Sequence, residues 1–242
     1  MKRNYFNLIF FILILFACLL FTEQGMDVME HLFSSKTDKI TIVLDAGHGG
    51  LDPGKVGVNH ALEKDINLSI AYKLKLLLEQ NDIHVIMTRE SDDGLYTKSD
   101  SNWKLADMRR RIKIINSSDA VFAISIHQNS FSQESSKGAQ MFYYKNSQQG
   151  KILAEVLQES IKKSMNDGNQ RLAKANGTYF LLKQSSCPLV IVECGFLSNW
   201  AEAKLLCNDA YQEKMAWAIH LGILEYINQY IKNNKANLAN QE

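Results

Sequence analysis

The chain has 242 residues, of which 46% are hydrophobic and 22% charged, as in an ordinary globular protein. This length allows one sizeable domain with its own core, or at most two small ones. The 27 lysines and arginines against 26 aspartates and glutamates leave a net charge of only +1, so the clustered basic face of a nucleic-acid-binding protein is not expected.

The first residues differ from the rest of the chain. Lys2 and Arg3 precede an apolar run from Leu8 to Phe21, which is the pattern of an export signal. We therefore predict a signal peptide or a membrane anchor over residues 1–22 and a tether over residues 23–39. A buried N-terminal core helix is the less favoured alternative, because the run is apolar on all sides and lies at the start of the chain behind two basic residues. The expected location is the outer face of the cytoplasmic membrane or the exterior.

Apolar segments of two kinds alternate after residue 39. Predicted strands cover residues 40–44, 84–88, 120–126, 138–144, 179–182 and 189–192. Predicted helices cover residues 63–79, 105–116, 151–165, 200–206 and 211–230. This alternation predicts a single α/β domain over residues 40–232, with a twisted, mostly parallel sheet and helices on both faces. Residues 233–242 are predicted to be a polar tail.

Polar side chains that can bind a metal follow three of the predicted strands. They are His48, His127 and Glu193, and Glu63 begins the first helix at the same edge of the sheet. Ligands bind outside the carboxyl ends of strands in open α/β sheets. Two histidines and two glutamates suit a catalytic zinc, with three ligands, an open water position and one carboxylate left as a base. Each histidine alone would be an ordinary loop residue, whereas a glutamate directly after a buried strand indicates a function. His60 is a rival ligand that we assign to an exposed loop.

Five short motifs resemble those of the zinc-dependent N-acetylmuramoyl-L-alanine amidases called the amidase 3 family. They occur in the family's order and extend the resemblance from Ile40 to about Ile227. The overall similarity is greatest to the small, single-domain spore-cortex type. The motifs are Val43-Leu44-Asp45-Ala46-Gly47-His48-Gly49-Gly50, Glu63-Lys64-Asp65, Thr88-Arg89, Ser125-Ile126-His127-Gln128-Asn129 and Val192-Glu193-Cys194-Gly195-Phe196-Leu197-Ser198-Asn199.

The resemblance implies the roles of four residues. His48, Glu63 and His127 match the family's Zn²⁺ ligands, and Glu193 matches its catalytic carboxylate. It also implies hydrolysis of the amide between N-acetylmuramic acid and L-alanine, with the peptidoglycan glycan strand and stem peptide as partners. The spore-cortex type acts in muramic-δ-lactam formation, which would place the protein in the forespore intermembrane space.

Two arginines are candidate substrate contacts. Arg89 matches the Thr-Arg motif, but it can equally serve in an ion pair that holds its loop. Arg171 can meet peptide carboxylates, although a solvated basic surface is the plainer interpretation. Since we find no wall-binding module, the anchor or a membrane-associated accessory protein is expected to localise the enzyme.

Two other functions fit the same residues. A zinc peptidase would use this chemistry on another amide within the stem peptide, and only the resemblance favours the sugar–peptide bond. A non-catalytic wall-binding protein could retain zinc alone. The presence of Glu193 argues against it, because a protein that had lost its activity would most easily lose the base.

Overall fold

A computed structural model describes residues 5, 8–14, 16 and 39–239 of the chain. The chain divides into two units, Met1–Lys39 and Ile40–Glu242. In the first unit, residues 8–14 are helical, and most of the predicted signal and tether lies outside the described residues. Among the described helices, none is both long and apolar enough to cross a membrane.

The second unit contains six strands and six helices within the described residues. The strands are β1 (Thr41–Ala46), β2 (His84–Met87), β3 (Phe122–Asn129), β4 (Gln140–Tyr144), β5 (Lys174–Asn176) and β6 (Leu189–Phe196). The helices are α1 (Glu63–Glu79), α2 (Trp103–Asn116), α3 (Gln148–Met165), α4 (Phe180–Gln184), α5 (Trp200–Leu206) and α6 (Asp209–Ala239).

The strands form one sheet in the order β2-β1-β3-β6-β4-β5. The pairs β1–β2, β1–β3, β3–β6 and β4–β5 are parallel, and β4 pairs with β6 antiparallel. The predicted α/β domain with a mostly parallel sheet is confirmed. Because the central strands run the same way, their carboxyl ends meet at one edge, which is where the predicted polar residues fall.

Apolar residues cover both faces of the sheet. The larger core packs α1, α3 and α6 against one face, where Phe122, Ile124 and Ile126 of β3 are fully buried. The smaller core packs α2 and α4 against the other face, around Ala123 of the same strand. Successive side chains of a strand point to opposite faces, so His127 lies on the face of the smaller core.

Four features differ from the prediction, and the first is that helix α6 continues to Ala239, beyond its predicted end at residue 230. Residues 180–184 form helix α4 instead of a strand, because the Asn176 side-chain oxygen accepts from the backbone of Thr178 and Tyr179 and turns the chain. The short strand β5 was not predicted, since Lys-Ala-Asn carries no β-branched or aromatic residue. Strands β3 and β6 continue past their predicted ends, so His127 and Glu193 lie inside strands rather than after them.

Candidate metal and catalytic site

Two glycines make room for the site. A Cβ atom at Gly47 would lie 2.2 Å from the His127 ring, and one at Gly54 would lie 2.6 Å from a carboxylate oxygen of Glu63. No larger residue fits at either position without displacing a site residue. His48 itself adopts a left-handed backbone, with a φ of 63°, in the tight turn that follows β1. Gly47 and Gly54 are therefore needed at these positions, because only a residue without a side chain leaves room for His127 and Glu63.

The structure brings His48, Glu63 and His127 together. One carboxylate oxygen of Glu63, Oε1, lies 3.2 Å from Nε2 of His48 and 2.9 Å from Nδ1 of His127. One ligand atom from each residue lies within 4.8 Å of the other two, the spacing of a cluster that can hold a metal ion. The three come from the turn after β1, the first residue of α1 and strand β3.

The hydrogen bonds around this cluster favour a cation at its centre. His48 Nδ1 is 2.7 Å from Asp52 Oδ2, and a proton shared there leaves Nε2 of a neutral ring with its lone pair toward Glu63. That lone pair and the Glu63 carboxylate together attract a positive charge, which can be a proton or a metal ion. Burial lowers the pKa of His48, but Glu63 and Asp52 outweigh it and raise the pKa to about 9. The same attraction holds the pKa of Glu63 well below its usual range, despite burial.

Glu193 occupies a different environment beside this cluster. In the register between β3 and β6 it lies directly opposite His127. Its Oε2 atom is buried, and no hydrogen bond from the described residues reaches it. Burial is the main cause that raises its pKa to about 7, and Glu63 adds to the effect while His127 and His48 oppose it. A buried carboxylate oxygen without a donor is available to accept a proton near neutral pH.

A buried ion pair below the turn was not predicted from the sequence. Asp45 accepts hydrogen bonds from Arg111 Nη1 at 2.7 Å, Thr88 Oγ1 at 2.7 Å and Ser125 Oγ at 2.6 Å. Arg111 also donates to the carbonyls of Ala46, at 2.7 Å, and His48, at 2.6 Å. The pair therefore holds the backbone that presents His48. The i,i+4 spacing of Asp107 and Arg111 on α2 was the only local signal for it.

Arg89 lies under the same turn. It is only 4% exposed, and among the described residues its guanidinium donates to backbone carbonyls and forms no ion pair. Its acceptors are the carbonyls of Ala46, Gly47, Lys64 and Ser91. These bonds join the turn to α1 and to the loop after β2. Contact between Arg89 and substrate stays a prediction.

Arg171 and His60 lie outside the metal cluster. Arg171 donates to the Lys137 carbonyl at 2.7 Å and to Gln140 Oε1 at 3.2 Å, and it stacks on the Phe196 ring. Gln140 is the register partner of Glu193, so Arg171 lies near strand β6, and it lines a cavity of about 880 Å³. Its contact with substrate also stays a prediction. His60 is exposed.

These features define the class of protein: an α/β enzyme with a histidine–glutamate–histidine cluster and a second carboxylate, that of Glu193, at the carboxyl edge of its sheet. The sequence profile of the N-acetylmuramoyl-L-alanine amidases matches residues 42–225. The chain belongs to this family, the amidase 3 family, and is therefore a hydrolase.

Relatives support the same assignment. The germination-specific N-acetylmuramoyl-L-alanine amidase of Bacillus subtilis (strain 168) is 39% identical over 191 residues, covering 78% of this chain and 80% of that protein. The CwlD amidase from Clostridioides difficile, solved in complex with the GerS lipoprotein, is 43% identical with a TM-score of 0.76, covering 78% of this chain and 99% of that one. An N-acetylmuramoyl-L-alanine amidase from Clostridium difficile 630 is 30% identical, with a TM-score of 0.70 and coverage of 79% and 98%. The predicted family is confirmed, and so is the similarity to its spore type.

Proposed function

We propose that the chain hydrolyses the amide between N-acetylmuramic acid and L-alanine in peptidoglycan, with His48, Glu63 and His127 as Zn²⁺ ligands and Glu193 as the base. The supporting observation is the position of Glu63 Oε1 between two histidine nitrogens, at 3.2 and 2.9 Å. Imidazole nitrogen and carboxylate oxygen are ligands that zinc prefers, and three protein ligands leave a position for water or substrate. Residues 40–232 are proposed to form the catalytic domain.

The chain's own residues supply the proton transfers. Bound zinc would polarise the substrate carbonyl and lower the pKa of water in the site. Glu193 Oε2, to which no described residue donates a hydrogen bond, takes the proton of the attacking water. Glu193 then returns that proton to the alanine nitrogen as the C–N bond breaks, so the carboxylate is regenerated. Burial raises the pKa of Glu193 in the metal-free site to about 7, so this carboxylate takes up a proton more readily than an exposed glutamate does.

The purified unit of residues 40–242 can test this function directly. It would be incubated with peptidoglycan after chelation, and again after zinc is restored, with the products identified by mass spectrometry. We expect stem peptides that begin with L-alanine, together with glycan bearing a free lactyl group, only when zinc is present. A peptidase would instead leave alanine attached to muramic acid, and bound zinc without any product would favour the wall-binding alternative.

The biological substrate is proposed to be spore cortex, where the amidase would act in muramic-δ-lactam formation. The proposal is supported by the relative from Bacillus subtilis, whose name describes it as germination-specific. Deletion of the gene should remove muramic-δ-lactam from cortex digests, and complementation with the Glu193→Gln variant should not restore it. Normal lactam content in the deletion strain would contradict the cortex role.

We also propose that the enzyme is exported and that it works with an accessory protein. Residues 1–22 are proposed to export or anchor the enzyme, and residues 23–39 to tether it, which places it outside the cytoplasmic membrane or in the forespore intermembrane space. A membrane-associated accessory protein is proposed because the CwlD relative was solved in complex with a lipoprotein. Crosslinking in sporulating cells, followed by isolation of the full chain, should recover such a lipoprotein; the enzyme alone in the crosslinked fraction would argue against it.

A further inference from the structure

The second nitrogen of the His48 ring has a carboxylate partner. Nε2 points toward Glu63, and on the opposite edge Nδ1 lies 2.7 Å from Oδ2 of Asp52. A ring bound to a metal through one nitrogen commonly donates its other N–H to a carboxylate, which fixes both the tautomer and the ring orientation. Asp52 stands where such a partner is needed.

The backbone holds Asp52 at this distance. The residues between His48 and Asp52 form a tight turn in which Gly49 N donates to the Asp52 carbonyl at 3.0 Å and Asp52 N donates to the Gly49 carbonyl at 3.1 Å. Only a short, closed loop therefore separates the histidine from its carboxylate. The Asp52 carboxylate can then move away from His48 mainly by rotation about its side-chain bonds.

Helix α2 limits that remaining freedom. Lys104 Nζ lies 3.6 Å from Asp52 Oδ1, the carboxylate oxygen that does not face His48. The same ammonium group lies over the Trp103 ring, 5.2 Å from its centre. The lysine is exposed, so we expect its contribution to be small.

The other histidine is oriented by different means. Nδ1 of His127 faces Glu63, and Cε1, the ring carbon between the two nitrogens, packs against Gly47. Among the described residues, no carboxylate is paired with His127 Nε2. Packing against Gly47 thus fixes the orientation of the His127 ring, whereas a hydrogen bond to Asp52 fixes the orientation of the His48 ring.

We propose that Asp52 is a positioning residue that keeps the Nδ1 proton on His48 and thereby reserves Nε2 for the metal. The inference rests on the proposed zinc site. Asp52 acts through His48, and its removal should therefore weaken zinc binding before it affects the fold. Loss of such a partner typically costs 10- to 100-fold in metal affinity.

Zinc affinity measured by competition with a chelator tests this role. Asp52→Ala should bind zinc about 10- to 100-fold more weakly than the parent chain. Asp52→Asn should lose less, since its amide oxygen can still accept a hydrogen bond from Nδ1–H, and Lys104→Met should lose about twofold or less. The matched control is Asp92→Asn, which removes an acidic group that contacts Gly50 in the same turn but not the His48 ring. Zinc affinity of Asp52→Ala within about twofold of the parent, or an equal loss in Asp92→Asn, would overturn the proposal.

A measurement without zinc separates this proposal from the proposed function. In the zinc-free chain, ¹H–¹⁵N NMR should show a downfield, slowly exchanging Nδ1 proton on His48, present in Asp92→Asn and absent in Asp52→Ala. If the parent chain binds no zinc, the proposed metal site fails, whatever the NMR shows. If the Nδ1 proton is unchanged in Asp52→Ala, the positioning role fails even when zinc binds.

Discussion

Two buried carboxylates on strands of one sheet have opposite surroundings. Asp45 on β1 is fully buried and accepts from Arg111, Thr88 and Ser125. Burial raises its pKa, but these partners outweigh it and lower the pKa to about 2. On β6, Glu193 Oε2 is buried without any donor from the described residues, and its pKa rises to about 7.

The difference shows that burial alone does not decide what a carboxylate does. With three donors, Asp45 keeps its charge at any physiological pH and serves to hold the turn that carries His48. Without a donor, Glu193 can gain and lose a proton near neutral pH. An unsatisfied buried polar atom costs stability, so its persistence is typical of a functional group. The following variants test this division, from the largest expected effect to the smallest.

Glu193→Gln should reduce turnover by about 10²- to 10⁴-fold, because it removes the proton acceptor while keeping the shape of the side chain. Zinc content should stay at the parent level, since Glu193 is not among the proposed ligands. The two measurements are release of stem peptides and metal analysis of the same sample. Normal cleavage by this variant would show that another group is the base.

His127→Ala should abolish zinc binding at micromolar concentrations, and activity with it, because only two of three ligands remain. The matched control is His84→Ala, which removes an exposed histidine at the start of β2 and should keep zinc. Metal analysis after gel filtration decides the result. Unchanged zinc in His127→Ala would remove that residue from the ligand set.

Arg111→Met should destabilise the fold by about 3–5 kcal/mol, because it leaves the Asp45 charge buried without its main partner. Arg109→Met is the control: it makes the same substitution at an exposed arginine of the same helix. Urea unfolding of both zinc-free variants gives the comparison. Equal stability of the two would mean that Asp45 does not depend on Arg111.

Asp45 also predicts how stability depends on pH. Its pKa is about 2 in the folded chain against an ordinary value of 3.8, so folding favours the charged form. Its contribution of about 2 kcal/mol is therefore complete above about pH 5 and is lost as the pH falls from about 4 toward 2. Urea unfolding between pH 2 and 6 should show a steeper slope for the parent than for Asp45→Asn. Parallel slopes would contradict this assignment.

Arg171→Met should have the smallest effect. If Arg171 meets a peptide carboxylate at the cavity rim, its loss should raise KM about two- to fivefold and leave kcat unchanged, as for a partly exposed charged contact. Lys163→Met, at an exposed lysine of α3, should change neither constant. A change in kcat alone for Arg171→Met would point to displacement of Gln140 and Glu193 instead.

Local patterns determined much of this protein. Apolar spacing placed α1 at residues 63–79, as observed, and the apolar runs placed the central strands. The glycine motif around His48, with polar residues where apolar runs stop, identified His48, Glu63, His127 and Glu193 as one group. Apolar spacing, apolar runs and the glycine motif are periodic or contiguous in sequence, so they can be recognised without the structure.

Tertiary structure decided the rest. Asp45 and Arg111 are 66 residues apart, and only packing of α2 on the sheet makes them partners. The asymmetry between the two histidines depends on a turn that brings Asp52 to one ring and on Gly47, which lies against the other. The contrast between Asp45 and Glu193 is likewise absent from the sequence, because hydrogen-bond donors supplied by distant segments set the pKa of a buried carboxylate.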